Sequence, residues 1–374
     1  MTRALVISFS DLGSDPRVDR QIAALRLRHE IVAAGLGPPR QPVEDFVELS
    51  VPARQVGGKV VGAARLLARR YDRFYWSHPA HAGALERLRK VPSTVVVAND
   101  LNSLPIAIGL GRPVVFDAHE YSPGQHSDRG WWRATFAPYM RSLCHRYIPQ
   151  AASMTTVGEA IADAYERETG VRATVVTNAP PRADLSPTPV HEPIRVLHHG
   201  GAHPGRGLEE MVRIGQLLDR RFTLDFVLID GSPGYRDKLI RLAEGDPRIR
   251  FPQPWGMQAI VQNANDYDLG LYSLRPANFN QRFALPNKFF EFIQARLAVA
   301  IGPSPEMASI VRRYGCGVVA DDFSPETVAS AINGLDPSSI AAFKRASHLA
   351  ADDLCAEANT EALLRAVDDA LARR

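Results

Sequence analysis

Leu285-Pro286-Asn287-Lys288-Phe289-Phe290-Glu291-Phe292-Ile293 runs on into Arg296-Leu297-Ala298-Val299-Ala300, and this junction decides the fold. Proline suits the first position of a helix, because the N–H it lacks would go unpaired there, and the amides after it stay free to face an anion. Asn287 and Glu291 stand four apart and share a helix face near that start, while Phe289, Phe290 and Ile293 turn inward. The apolar run Ala298–Ile301 reads as a strand buried on both faces. Helix followed by buried strand is the repeating step of a parallel α/β sheet.

The same alternation fills the rest of the chain. Ile194–His198, Leu224–Ile229, Ile249–Phe251, Leu269–Tyr272 and Gly317–Ala320 complete a set of strands around that junction. Ahead of them Ala179, Pro180, Pro181 and Arg182 lead through Pro187, Pro189 to Pro193, a stretch that neither a helix nor a central strand tolerates, and so a domain boundary. Before the boundary lie Ala4–Ile7, Ile31–Ala34, Thr94–Ala98, Val114–Phe116, Ser153–Val157 and Thr174–Thr177. The tail carries Leu363, Leu364, Val367, Ala370 and Leu371 at helical spacing. The expectation is an α/β protein of two Rossmann-like, doubly wound domains, 1–180 and 181–354. A helix at about 355–374 packs back on the first domain, and a cleft lies between the carboxyl ends of the strands, where such sheets bind ligands.

Composition excludes several classes. The 374 residues carry 44 Lys plus Arg against 41 Asp plus Glu, a net charge of +3 that gives no general reason to expect nucleic acid as a partner. Cys144, Cys316 and Cys355 lie far apart, without C-x-x-C spacing or an even framework, so a reducing cytoplasm is the expected setting. Met1–Ser10 is too short and wrongly flanked for a signal segment and reads as a first strand. No run of eighteen apolar residues predicts a membrane span.

His198-His199-Gly200-Gly201-Ala202-His203-Pro204-Gly205-Arg206-Gly207 precedes a helical segment that begins at Leu208. A glycine-rich turn between strand and helix lets backbone N–H groups approach an anion, and Arg206 adds a fixed charge for a phosphate. The plainer reading is a turn that glycines merely shape. For Glu291 the chemical reading is a carboxylate that accepts ribose hydroxyls, and the plain one is a charge that offsets Lys288 on a solvated helix.

Leu285–Val299 resembles the nucleotide-sugar signature of retaining family-4 glycosyltransferases of the GT-B fold, in the subgroup that reads L-P-N-K, two apolar residues, E. Further pieces fall in matching order. Ser14-Asp15-Pro16-Arg17-Val18 is similar to the family's first loop, Phe116–Pro123 to its H-E loop, Thr177-Asn178-Ala179-Pro180 to its hinge, and Gly200–Leu208 to its glycine turn. The resemblance implies a sugar donor activated as a nucleoside diphosphate (UDP or GDP), with no other cofactor, and an acceptor that is a glycan, a lipid-linked compound or a small molecule. It places Arg206 on the donor phosphates, Glu291 on the ribose and Asn287 and Lys288 beside the diphosphate, with Gly200 and Gly201 close by. His119 would stand near the transferred sugar, making His119, Arg206 and Glu291 the catalytic set. Gly13, Arg17 and Asp100 would face the acceptor, though a turn role suits Asp100 as well.

The sequence departs from the family at Phe283, where the first acid of E-x7-E is missing, and at Gly201, where an arginine is usual. Asp266-Tyr267-Asp268 has metal-binding spacing but stands directly before an apolar strand, so no metal is predicted. Arg65, Arg69, Arg70 and Arg73 interleave with Leu66, Leu67, Phe74 and Trp76, and Trp131, Trp132, Arg133, Arg141 and Arg146 form a second such stretch. Both patterns fit peripheral membrane contact and ordinary amphipathic helices alike. Two rival functions remain: a non-catalytic subunit that binds a nucleotide sugar or a partner, and a nucleotide-sugar epimerase.

Overall fold

The apolar runs become strands flanked by helices on both faces, as a parallel sheet requires. The computed structural model describes residues 2–51, 56–243 and 245–373, and they divide into two units. The first comprises Met1–Thr177, Ala277–Asn280 and Asn359–Arg374; the second comprises Asn178–Pro276 and Gln281–Ala358.

The first unit holds β1 (Thr2–Ile7), β2 (His29–Gly35), β3 (Asp45–Glu48), β4 (Val95–Asn99), β5 (Val114–Ala118), β6 (Ser153–Thr156) and β7 (Thr174–Val175). They pair in parallel in the order β3-β2-β1-β4-β5-β6-β7. The second holds β8 (Ile194–Ala202), β9 (Phe222–Asp230), β10 (Ile249–Arg250), β11 (Leu269–Tyr272), β12 (Ala298–Ile301) and β13 (Gly317–Val319), in the order β10-β9-β8-β11-β12-β13. Both orders reverse once, between β1 and β4 and between β8 and β11. Each sheet therefore has a switch point, at whose carboxyl edge ligands bind in doubly wound folds. The expected pair of Rossmann-like domains is present.

Three expectations change. Asp45–Glu48 is a strand that no apolar run announced, because this edge strand has only two apolar residues between two acids and stays half-exposed. Gly200 and Gly201 belong not to a turn but to β8, which pairs with β9 as far as Ala202, so the turn itself is His203–Gly207. Helix Asn287–Gln294 starts one residue later than predicted, with Pro286 extended (φ −73°, ψ 150°) in the cap position.

Helix Ala356–Ala372 buries Leu363, Leu364, Val367 and Ala370 against Val6, Ile22, Val97 and Val115 of the first unit's core. Ser153 Oγ donates to the Ala366 carbonyl at 2.7 Å and Asn359 bonds Thr177 at 3.0 Å, so the tail closes one face of the first sheet. In the basic-aromatic stretches, Leu66 and Trp132 are buried and Phe74 packs on Phe136 and Tyr139, which leaves Leu67 and Trp131 as the exposed apolar side chains. Among the described residues no helix is long and apolar enough to cross a membrane. All three cysteines are buried free thiols.

Leu364→Ala should destabilise the first unit by about 2–4 kcal/mol through the cavity it leaves, read as a lower urea midpoint; an unchanged midpoint would mean that the tail helix contributes nothing to that core.

Candidate functional site

At the carboxyl edge of the second sheet, Lys288 is folded inward from the first turn of its helix and is 9% exposed. Its Nζ lies 3.3 Å from His198 Nε2 and 5.3 Å from the centre of the Tyr272 ring. His198 Nδ1 faces the Leu271 carbonyl at 2.9 Å, so it carries the ring proton, and Nε2 accepts from the lysine. A Cβ on Gly200 would fall 2.9 Å from Nζ, and Gly200 has φ +132°, so only glycine leaves room for the lysine. Burial, helped by the Arg206 charge and opposed by Glu291, drops the Lys288 ammonium to about 7.

His199 points to the other face of β8. Burial and the Lys288 charge push it down to about 3, so it is neutral. Its Nε2 stands 3.4 Å from Glu291 Oε2 without the alignment of a hydrogen bond, and its ring meets Phe292 edge-on at 5.2 Å. Glu291 is therefore largely buried beside an imidazole, and its charge also acts on Lys288. Arg206 leaves the turn between Gly205 (φ +81°) and Gly207 (φ +68°) and is exposed. Its guanidinium has no partner among the described residues, yet its charge is felt at Lys288, His198 and Tyr272. Asn287 opens the helix whose free amides lie beside Lys288. Two cationic groups beside a helix start have the chemistry to receive an anion.

The first sheet's carboxyl edge is built around Asp117, the fourth residue of β5 and 2% exposed. It accepts Arg17 Nε at 3.0 Å and Nη2 at 2.5 Å, Gln21 Nε2 at 2.9 Å and Thr155 Oγ1 at 2.6 Å. Burial alone would raise its carboxyl, but Arg17 and His119 hold it far below the usual range. Arg17 is thus not an acceptor-facing residue: it is buried, and both its charge and its fork are spent on Asp117. Gln21 in turn takes Asn99 Nδ2 at 2.9 Å, which aims Asn99 Oδ1 at His119 Nε2, 3.1 Å away.

His119 Nδ1 lies 3.2 Å from Asp100 Oδ2, and the His119 amide donates to Asp100 Oδ1 at 3.2 Å. Both ring nitrogens face oxygen acceptors, an arrangement that favours the protonated ring. Burial opposes this, but Asp100 and Asp117 outweigh it and raise its pKa. Asp100 has φ +62°, a left-handed conformation that is costly for a non-glycine residue, and its carboxylate fixes the next loop rather than merely turning the chain. Gly13 sits in a short helical turn, its amide on Asp11 Oδ1 and its carbonyl held by Arg40 at 2.5 Å. Glu120, beside His119, accepts Asn280 Nδ2 at 2.9 Å, and burial raises its carboxyl.

Asp268 of the D-x-D spacing is fully buried, with Lys344 Nζ at 3.1 Å and the Arg195 amide at 2.9 Å, so it is structural. No group of three His, Cys, Asp or Glu among the described residues is arranged to hold a metal ion.

Three solved structures share this architecture over nearly the whole chain. The Anabaena protein HepE in complex with UDP-glucose is 15% identical with a TM-score of 0.72, covering 98% of this chain and 100% of its own. Sucrose-phosphate synthase from Thermosynechococcus elongatus is 12% identical with a TM-score of 0.73, covering 100% of both chains. The UDP-forming trehalose-phosphate synthase from Burkholderia vietnamiensis is 11% identical with a TM-score of 0.70, again covering 100% of both. The fold is GT-B. No protein-family model matches the sequence, and neither does any curated protein.

Sequence reasoning missed Asn99, Asp117 and Gln21, which orient His119, and the pair His198 and His199, which flank Lys288 and Glu291. A signal existed: Lys288 stands four before Phe292, and Arg17 four before Gln21, so each lies on the buried face of its helix.

Two outcomes follow from burial. Lys288 titrates near 7 in the folded state against 10.5 in the unfolded chain. The cost of burying its charge is thus complete below pH 7, and stability rises with pH between the two values as the unfolded state holds more protons. Lys288→Met should raise the unfolding free energy at pH 6 by on the order of 5 kcal/mol, read from urea unfolding, and flatten that rise; identical pH profiles would refute the buried ammonium. Arg17→Ala strands a buried carboxylate and should cost roughly 3–5 kcal/mol, whereas a surface residue that meets the acceptor would leave the midpoint unchanged.

Proposed function

We propose that the chain is a retaining glycosyltransferase that takes a sugar from a nucleoside diphosphate, uridine diphosphate first among the candidates. The observation that carries this reading is Lys288, held without a carboxylate partner in hydrogen-bond contact and accompanied by the exposed Arg206. Both belong to an α/β unit whose fold is shared with structures that hold UDP or UDP-glucose. A buried cation at a carboxyl edge is destabilising unless an anion arrives, which favours a binding site over a structural role.

In this reading Lys288, Arg206 and the amides at the start of helix Asn287–Gln294 receive the diphosphate, and Glu291, braced by His199, accepts the ribose hydroxyls. As the bond between sugar and phosphate breaks, the negative charge gathering on the departing diphosphate is stabilised by Arg206 and by Lys288, which the bound diphosphate keeps charged. His119, with its ring nitrogens engaged by Asn99 and Asp100, orders the loop at its own sheet edge. Burial raises the Glu120 carboxyl, and its oxygens are engaged by Gln125 and Asn280, which disfavours it as a nucleophile. Attack on the face from which the diphosphate departs, within a short-lived ion pair, accounts for transfer without a covalent intermediate. The departing phosphate then takes the acceptor's proton.

A non-catalytic nucleotide-binding subunit would need Lys288 and Arg206 but not the four-residue scaffold behind His119, which favours the enzyme. Thermal unfolding with a panel of nucleoside diphosphates tests the reading. One of them should raise the midpoint of the wild type, and Arg206→Ala and Glu291→Ala should each lose most of that rise, since a ligand that binds only the native state stabilises it. No response to any diphosphate would refute the donor site.

A further inference from the structure

The first unit carries, at the same carboxyl edge as His119, a cavity of about 500 Å³ that the donor chemistry leaves unused. Its walls come from residues that follow the strands, Phe9 after β1, Leu36 after β2 and Asn102 after β4, and from helices Tyr71–Trp76 and Phe136–Tyr147. The lining is dominated by rings in fixed geometry. Tyr75 stacks on His81 at 4.0 Å with 18° between the planes, Phe9 meets His81 edge-on at 5.7 Å, and Phe74 meets Tyr139 edge-on at 4.9 Å.

Hydrogen bonds lock these rings before any ligand arrives. His81 Nδ1 donates to the Tyr75 carbonyl at 2.8 Å, and the Tyr75 hydroxyl donates to the Asn102 carbonyl at 2.6 Å. Asn102 is two residues beyond Asp100, whose carboxylate holds His119, so one short loop joins the cavity wall to that ring. A preformed pocket of this volume, mostly apolar with a few polar groups at its edge, has the character of a small-molecule site.

We propose that this cavity receives a planar aromatic group of the acceptor, so that the compound glycosylated is an aryl-bearing molecule rather than a bare sugar. The assignment rests on the glycosyltransferase reading for its purpose, but not for its chemistry. The half-exposed Phe9, Phe74 and Phe136, backed by the buried Tyr75 and Tyr139, suit a flat partner, whereas a sugar would leave most of its hydroxyls unpaired against them. An apolar cavity of about 150 Å³ takes one benzene ring, so the space here holds a system of two or three fused rings. The loop beyond then brings the polar end of such an acceptor toward His119.

Saturation-transfer NMR on the full chain tests this with three probes: 2-naphthyl glucoside, decyl glucoside and methyl glucoside. The naphthyl compound should bind with saturation concentrated on its ring protons, and at least tenfold more tightly than either of the others. Met140→Trp, which fills the cavity from helix Phe136–Tyr147, should weaken the naphthyl compound tenfold or more. Phe9→Ala, which removes an edge-on ring, should weaken it in the same direction and serves if the first variant does not fold. Equal binding of the three probes, preference for the decyl chain, or indifference to both folded variants would overturn the assignment. Naphthyl binding in a protein that responds to no nucleoside diphosphate would uphold the cavity and sink the donor reading. A diphosphate response with equal probe binding would do the reverse.

Discussion

Lys288 keeps its ammonium where water barely reaches, against an imidazole, a tyrosine ring and a glycine that must have no side chain. Much of the second unit's carboxyl edge is arranged around that one group. β8 runs on through Gly200 so that the lysine has a place to lie, His198 takes the tautomer that the Leu271 carbonyl imposes, and His199 is kept neutral on the far side. Arg206 adds a second positive charge in solvent and makes the first harder to hold. Such an arrangement works against folding and in favour of an anion, and stability given up at a binding edge is a common signature of function.

The first unit solves the opposite problem. There a carboxylate, Asp117, is buried and fully compensated, and its partners transmit that order outward through Gln21 and Asn99 to His119. At this edge His119 is held in place, with Asp100 in a left-handed conformation to reach it. One edge thus carries a cation that its surroundings destabilise, and the other an imidazole whose pKa the neighbouring carboxylates raise.

The sequence made some of this legible and hid the rest for physical reasons. Leu269–Tyr272 and Ala298–Ile301 are strands to the residue, because central parallel strands are apolar throughout and end sharply at polar neighbours. Asp45–Glu48 escaped because an edge strand buries little. Gly200-Gly201 read as a turn because glycine marks close backbone approach as well as turning, and only the position of Lys288 distinguishes the two. Arg206, Lys288 and Glu291 were singled out by the residue pattern and by a resemblance in its spacing. That Arg17 is spent on Asp117, 100 residues away, is a tertiary fact that no local pattern carries.

The most direct measurement is isothermal calorimetry of UDP and GDP binding at pH 8, in two buffers of different ionisation enthalpy. At that pH most of the Lys288 side chains are neutral in the free protein, and a bound diphosphate should recharge them. Binding should therefore draw close to one proton from the buffer, and Lys288→Met should abolish that uptake. Diphosphate binding with no proton taken up, or no binding at all, would contradict the account.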